Sequence, residues 1–151
     1  MMDKILQNGQ DTDKSRLLVF MLASRNFGIE LHKIKEITDL LPTTRLPGAH
    51  RFVKGLGNLR GEIIPIISLR ERLNIHGDEK GKQIIIVISK KVNYGLLVDK
   101  IQGIYAVDTR GSESISSIFS QDAETSFLIG VCKVENSDVI LLDSEKLIEI
   151  N

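Results

Sequence analysis

The chain repeats itself, and no other property of the sequence narrows the possible folds as far. Residues 27–37, Phe-Gly-Ile-Glu-Leu-His-Lys-Ile-Lys-Glu-Ile, align without a gap to residues 94–104, Tyr-Gly-Leu-Leu-Val-Asp-Lys-Ile-Gln-Gly-Ile. The apolar stretch before each segment recurs as well, 17–22 against 84–88. So do residues 52–56 against 127–131, and 63–67 against 139–142. Self-similarity on this scale predicts a duplicated unit. Each copy offers about five short strands with glycine-containing connections, and neither holds the long helices that a doubly wound parallel sheet places between strands. The expected fold is therefore all-β, two small barrels packed together. The polar stretch 74–82, broken by Gly77 and Gly81, is the expected boundary between them. Residues 1–15 lack the apolar block of a signal peptide and read as a short disordered lead to a single domain over 16–151.

Within this frame, residues 17–23 and 27–31 predict a hairpin turning at Ser24-Arg25-Asn26. A second hairpin runs through residues 52–67, with turn chemistry at Asn58 to Gly61 and the β-branched run Ile63-Ile64-Pro65-Ile66-Ile67 as its returning strand. Pro65 has no N–H to donate, which predicts a sheet edge or a bulge there. Arg60 sits at the turn, where an arginine has no obvious structural duty, so on position alone it is either a solvated surface arginine or a recognition residue. Residues 69–73 suit one or two helical turns. The serine-rich stretch 110–121 reads as a loop with a short helical turn, and residues 144–150 as a brief terminal helix capped by Ser144.

Most chemistry is disfavoured. Lysine and arginine number 20 and aspartate and glutamate 20, so no basic excess argues for nucleic acid or an anionic membrane surface. Cys132 is the only cysteine and reads as a small strand residue, with a reducing, cytosolic compartment expected. The longest apolar run, 84–88, is far below a membrane span. His32, His50 and His76 are scattered without ligand spacing, so neither a metal nor a cofactor is expected. Gly55, Gly57 and Gly61 precede a strand instead of a helix, which removes the dipole and amides that a pyrophosphate needs. No nucleophile elbow or paired carboxylates stand out. A binding module without a reaction of its own is the expected class.

The ordered set Phe27-Gly28-Ile29, Ile34-Lys35-Glu36-Ile37, Leu46-Pro47-Gly48-Ala49, Val53-Lys54-Gly55, Asn58-Leu59-Arg60-Gly61, Pro65-Ile66-Ile67-Ser68-Leu69-Arg70 and Gly95-Leu96-Leu97-Val98-Asp99 resembles the CheW-like coupling proteins of bacterial chemotaxis, from residue 16 to 148. The resemblance implies two five-stranded SH3-like barrels and a stand-alone cytoplasmic adaptor recruited to membrane-associated receptor arrays. It joins chemoreceptor tips to the regulatory domain of a histidine kinase. It also implies a receptor contact at Ile34, Glu36, Gly55, Arg60 and Ile104, with Ile34 and Ile104 taken as equivalent positions of the two copies flanking a groove for an amphipathic helix. Thr43 and Arg45 are the expected kinase contacts. The alternative, an SH3-like module for peptides in another signalling complex, calls for an aromatic-lined groove, poorly served by five phenylalanines, two tyrosines and no tryptophan.

Overall fold

A computed structural model describes residues 14–75, 81–108 and 126–149. Eleven strands carry the fold among these residues: β1 (Lys14–Leu22), β2 (Arg25–Glu30), β3 (Ile34–Asp39), β4 (Thr43–Thr44), β5 (Val53–Leu59), β6 (Glu62–Ser68), β7 (Gln83–Val87), β8 (Tyr94–Val98), β9 (Lys100–Asp108), β10 (Leu128–Val134) and β11 (Ser137–Leu142). One four-residue helix, α1 (Leu69–Arg72), follows β6. The serine-rich stretch 110–121, His76 and the first thirteen residues of the expected lead lie outside the described residues. Lys14 and Ser15, read as lead, already belong to β1.

Two sheets form, as the repeat predicts, but they are not the two halves of the sequence. The first has the order β10-β11-β2-β1-β9 and the second β3-β7-β8-β6-β5-β4. Read from β5, the second order is β5-β6-β8-β7-β3, which matches the first strand for strand once each element is replaced by its repeat partner. The parallel pair β11–β2 corresponds to the parallel pair β6–β8, and every other pair in both sheets is antiparallel. Each sheet thus takes two strands from one copy and the rest from the other. The repeated segments 27–37 and 94–104 are the crossovers: β2 to β3 leaves the first sheet, and β8 to β9 returns to it. Stretch 74–82 connects α1 to β7 inside the second sheet, so the expected boundary there does not separate the sheets. Five strands per sheet holds for the first. The second adds Thr43–Thr44 against β5.

This exchange explains the near-continuous apolar runs. Strands β1 and β7 are covered on both faces, so residues pointing either way are buried. Leu18, Phe20 and Leu22 of β1 and Ile85 and Val87 of β7 face a core shared by both sheets. Their neighbours face private interiors: Leu17 and Val19 pack with Val139 and Leu141 in the first sheet, Ile84 and Ile86 with Ile64 and Ile66 in the second. Gly28 and Gly95 stand at the same point of the two interiors. A Cβ on Gly28 would press on Val139 and Leu17, and one on Gly95 on Ile66 and Ile84. The Tyr94 hydroxyl donates to the Ser144 carbonyl at 2.7 Å, and burial pushes its pKa up.

Local chemistry departs from expectation at three points. The first hairpin turns at Ala23-Ser24, both at positive φ, instead of Ser24 to Asn26, because Leu22 pairs with Arg25. Pro65 lies in an interior strand, yet the ladder to β8 starts only at Ile66, so its missing donor disturbs no pairing on that side. The C-terminal 3-10 turn Lys146–Ile148 has Glu145 at its N-cap position, and the Asp143 carboxylate just ahead accepts from the N–H groups of Glu145 and Lys146. Ser144 is buried instead. The helical turn after β6 forms as expected, with the Ser68 hydroxyl accepting from the Glu71 N–H.

Candidate functional site

The β5–β6 hairpin closes on Arg60-Gly61, with Leu59 paired to Glu62 and both turn residues at positive φ, 50° and 92°. This is the two-residue turn whose twist suits adjoining strands. The Asn58 side chain accepts from the Gly61 N–H at 2.8 Å and fixes the bend. Gly61 adopts such a φ freely, whereas an arginine there is uncommon. The equivalent turn of the other copy, Glu135-Asn136 between β10 and β11, has the same conformation, at 48° and 69°. The turn therefore does not require arginine, because the matching place carries the opposite charge.

Arg60 projects from this tip with its side chain 67% exposed and donates to the carboxylate of Glu36 on β3, which is 26% exposed. Lys35, the neighbour of Glu36 on β3, pairs with Glu62 of the same hairpin at 3.3 Å. These two ion pairs join the hairpin tip to the terminal strand β3. Exposed pairs of this kind contribute little to stability, on the order of 1 kcal/mol or less. What they supply is a fixed orientation for charged groups at a surface.

The other expected receptor contacts fall in different settings. Ile34 opens β3 and is partly buried against the shared core, with a register shift between it and Glu36. Ile104 belongs to β9 of the first sheet and is 51% exposed. These two are not equivalent positions: the ungapped repeat sets Ile34 against Ile101, which also packs on the shared core, and Ile37 against Ile104. Ile37 is 39% exposed, so the equivalent pair of exposed isoleucines is Ile37 and Ile104, on the terminal strands β3 and β9. Their exposure at matched places is a signal that the repeat contained and the sequence reading passed over.

Gly55 is buried. It has φ 149°, and a Cβ there would run into the Thr44 carbonyl and meet the Thr43 methyl at 2.8 Å. Its role is to let β4 lie close over β5 at a register shift. Thr43, expected on the kinase side, thus touches a residue expected on the receptor side. The Thr43 hydroxyl donates to the Leu41 carbonyl at 2.9 Å, and Arg45 is exposed just beyond β4.

A buried arginine escaped sequence reading. Arg72 of α1 lies between the rings of Phe52 and Phe127, at 5.0 and 4.3 Å, and its Nε donates to the Leu147 carbonyl at 2.7 Å. The two rings occupy equivalent places in the repeat, one ahead of β5 and one ahead of β10. Among the described residues no cluster of histidine, cysteine and acids suits a metal ion. Cys132 is buried in β10, and burial pushes its thiol pKa up, away from reactivity.

Comparison with known proteins fits this arrangement. The family model described as CheW-like domain matches residues 16–151. The chain is 31% identical over 134 residues to the chemotaxis protein CheW of Thermotoga maritima, covering 88% of this chain and 87% of that one. It is 28% identical over 136 residues to the Bacillus subtilis protein of the same name, covering 89% and 86%. The crystal structure of the scaffolding protein TtCheW from Thermoanaerobacter tengcongensis superposes with a TM-score of 0.81 at 29% identity, covering 91% of this chain and 94% of that one. With a family model spanning nearly the whole described fold, and the two-sheet architecture shared with a solved member, the chain belongs to the CheW-like family of chemotaxis scaffold proteins.

Proposed function

We propose that this protein is a non-enzymatic adaptor that couples the cytoplasmic signalling tips of chemoreceptors to the regulatory domain of a histidine kinase. In this reading an amphipathic helix of the receptor tip lies across β3 and β9, with isoleucines for its apolar stripe and the Glu36–Arg60 pair for its polar edge. Ile34, Glu36, Arg60 and Ile104 make the contact, and Gly55 shapes the backbone beside it. Thr43 and Arg45 meet the kinase. The protein works in the cytoplasm and reaches the membrane-associated array through the receptor. No helix among the described residues is long and apolar enough to cross a membrane.

The observation that carries this reading is an arginine held in left-handed conformation at an exposed turn whose counterpart is glutamate. A residue kept there without structural need suits recognition. No observation favours the polyproline-binding alternative: Phe20, Phe27, Phe52, Phe127 and Tyr94 are buried, and among the described phenylalanines and tyrosines only Tyr105 is partly exposed, too little for an aromatic-lined groove. The test is Arg60→Ala in two assays. Unfolding stability should change by less than about 1 kcal/mol, as for other exposed sites. Affinity for a receptor signalling fragment should fall about 30-fold, the equivalent of about 2 kcal/mol for an interface arginine. Unchanged affinity would return Arg60 to an ordinary surface role.

A further inference from the structure

A second surface stands apart from the Glu36–Arg60 tip. The loop between β4 and β5, together with Val53, Lys54 and Glu71 of α1, walls a cleft of about 520 Å³. Arg45, His50, Arg51 and Lys54 line it, with Glu71 as its one acid. This concentration is notable in a chain that carries 20 basic and 20 acidic residues. Glu71 is matched to Lys54 at 3.2 Å, and Arg51 donates to the neutral amide oxygen of Asn74 at 3.0 Å. Net positive charge is left at Arg45 and Arg51, on two parts of the same wall. Leu46, 44% exposed, supplies an apolar surface beside them.

We infer that this cleft receives an extended acidic segment of a partner protein, with its carboxylates on Arg45 and Arg51 and an apolar side chain against Leu46. A cleft of this size exceeds what one small anion fills, and two guanidinium groups suit carboxylates through forked donation. A nucleic acid strand would call for exposed rings on which bases stack. The one ring in the lining, His50, is already set against Phe52 at 5.0 Å. The inference rests on the adaptor reading only in taking the partner to be a protein, and Arg45 is the residue it shares with the kinase contact proposed above.

The test uses the full chain and a fluorescent peptide of glutamates around a central leucine, with a glutamine-for-glutamate peptide as its control. Binding of the glutamate peptide should weaken as salt is raised, and should fall about tenfold or more in Arg45→Gln and again in Arg51→Gln, since charge pairs at an interface commonly carry that much. Both variants should unfold at the temperature of the parent, so that lost binding is not lost folding. The inference is overturned if the glutamine peptide binds equally, if the double variant binds as well as the parent, or if inorganic phosphate or a single-stranded oligonucleotide displaces the peptide as effectively as unlabelled peptide does. Assembly with receptor fragment and kinase is read separately. Arg51→Gln, which leaves the proposed kinase contact at Arg45 in place, should lose the peptide yet still assemble, and failed assembly of a parent that still selects glutamate over glutamine overturns the adaptor reading alone.

Discussion

Arg72→Ala should destabilise the fold by about 4 kcal/mol. Arg72 is 7% exposed, so its guanidinium lies away from water and depends on its protein partners. Its bond to the Leu147 carbonyl is short, at 2.7 Å, and alanine leaves that carbonyl without this donor; a hydrogen bond to a charged group contributes about 2 kcal/mol. The rings of Phe52 and Phe127 flank the guanidinium, and each desolvated contact of this kind contributes about 1 kcal/mol. A longer reach to the Glu149 carbonyl, at 3.3 Å, is lost as well but counts for less. Against a typical domain stability of about 5–15 kcal/mol the effect is large. The reason lies in topology: Arg72 follows a strand of the second sheet, whereas Leu147 follows a strand of the first, so the side chain fastens the two together. Urea unfolding of the parent, Arg72→Ala and Arg72→Met measures it. Methionine should recover roughly half by refilling the space between the rings. A loss below about 1 kcal/mol for alanine would refute the reasoning, because it would mean that the carbonyl and rings find equal partners in water.

Three further outcomes follow from the same geometry. Gly55→Ala should cost about 3 kcal/mol, since its Cβ meets the Thr44 backbone at a φ that only glycine adopts readily; urea unfolding checks it, and hydrogen exchange should show β4 loosened first. Gly95→Ala should cost more than Gly28→Ala, within a range of about 1–3 kcal/mol, because its nearest side-chain atoms stand at 2.8 Å instead of 3.0 Å. For the Glu145 carboxyl, burial works to raise its pKa, but the Lys90 N–H, the Ser89 hydroxyl and the charges of Lys33 and Lys90 outweigh it and hold it below the usual 4.5. A depressed acid stabilises the fold above its unfolded pKa and loses that contribution as pH falls through the folded one. The stability gap between parent and Glu145→Gln should therefore be full at neutral pH and close progressively below about pH 4.5; a gap that widens on acidification would contradict the assignment.

Most strands were legible because they are apolar runs bounded by turn residues and recur in pairs, but residues 32–46, which hold β3 and β4, mix helical and extended spacing and were not. What self-similarity does not contain is which copy each strand pairs with. Residues 17–22 and 84–88 look alike whether each stays with its own copy or crosses over, so the boundary at 74–82 followed from an assumption that hydrogen bonding between strands did not honour. The turn at Arg60 was readable from Asn58 and Gly61, whereas Glu36 was marked through the resemblance as a receptor contact, and the fold supplies its ion pair with Arg60. Ala23-Ser24 carried no glycine or asparagine, which hid the first turn one residue upstream of its expected start. Gly55 looked like a contact residue because family likeness marks positions without saying why, and the close approach of Thr44 supplies a structural reason. Arg72 was hidden because a lone arginine in a polar helical turn reads as solvated, and only the fold brings Phe52, Phe127 and Leu147 around it. Exposure of Ile37 was recoverable, since the same ungapped alignment that pairs Phe27 with Tyr94 also pairs Ile37 with Ile104.

The central claim is that this protein joins two partners and has no turnover of its own. The most direct measurement mixes the full chain in equal amounts with a receptor signalling fragment and a chemotaxis histidine kinase, and follows both complex size and kinase autophosphorylation. The account predicts one complex containing all three proteins, autophosphorylation above that of the kinase with either partner alone, and loss of both effects together in Arg60→Ala. Autophosphorylation unaffected by the protein, with no three-component complex while the parent remains folded, would contradict it.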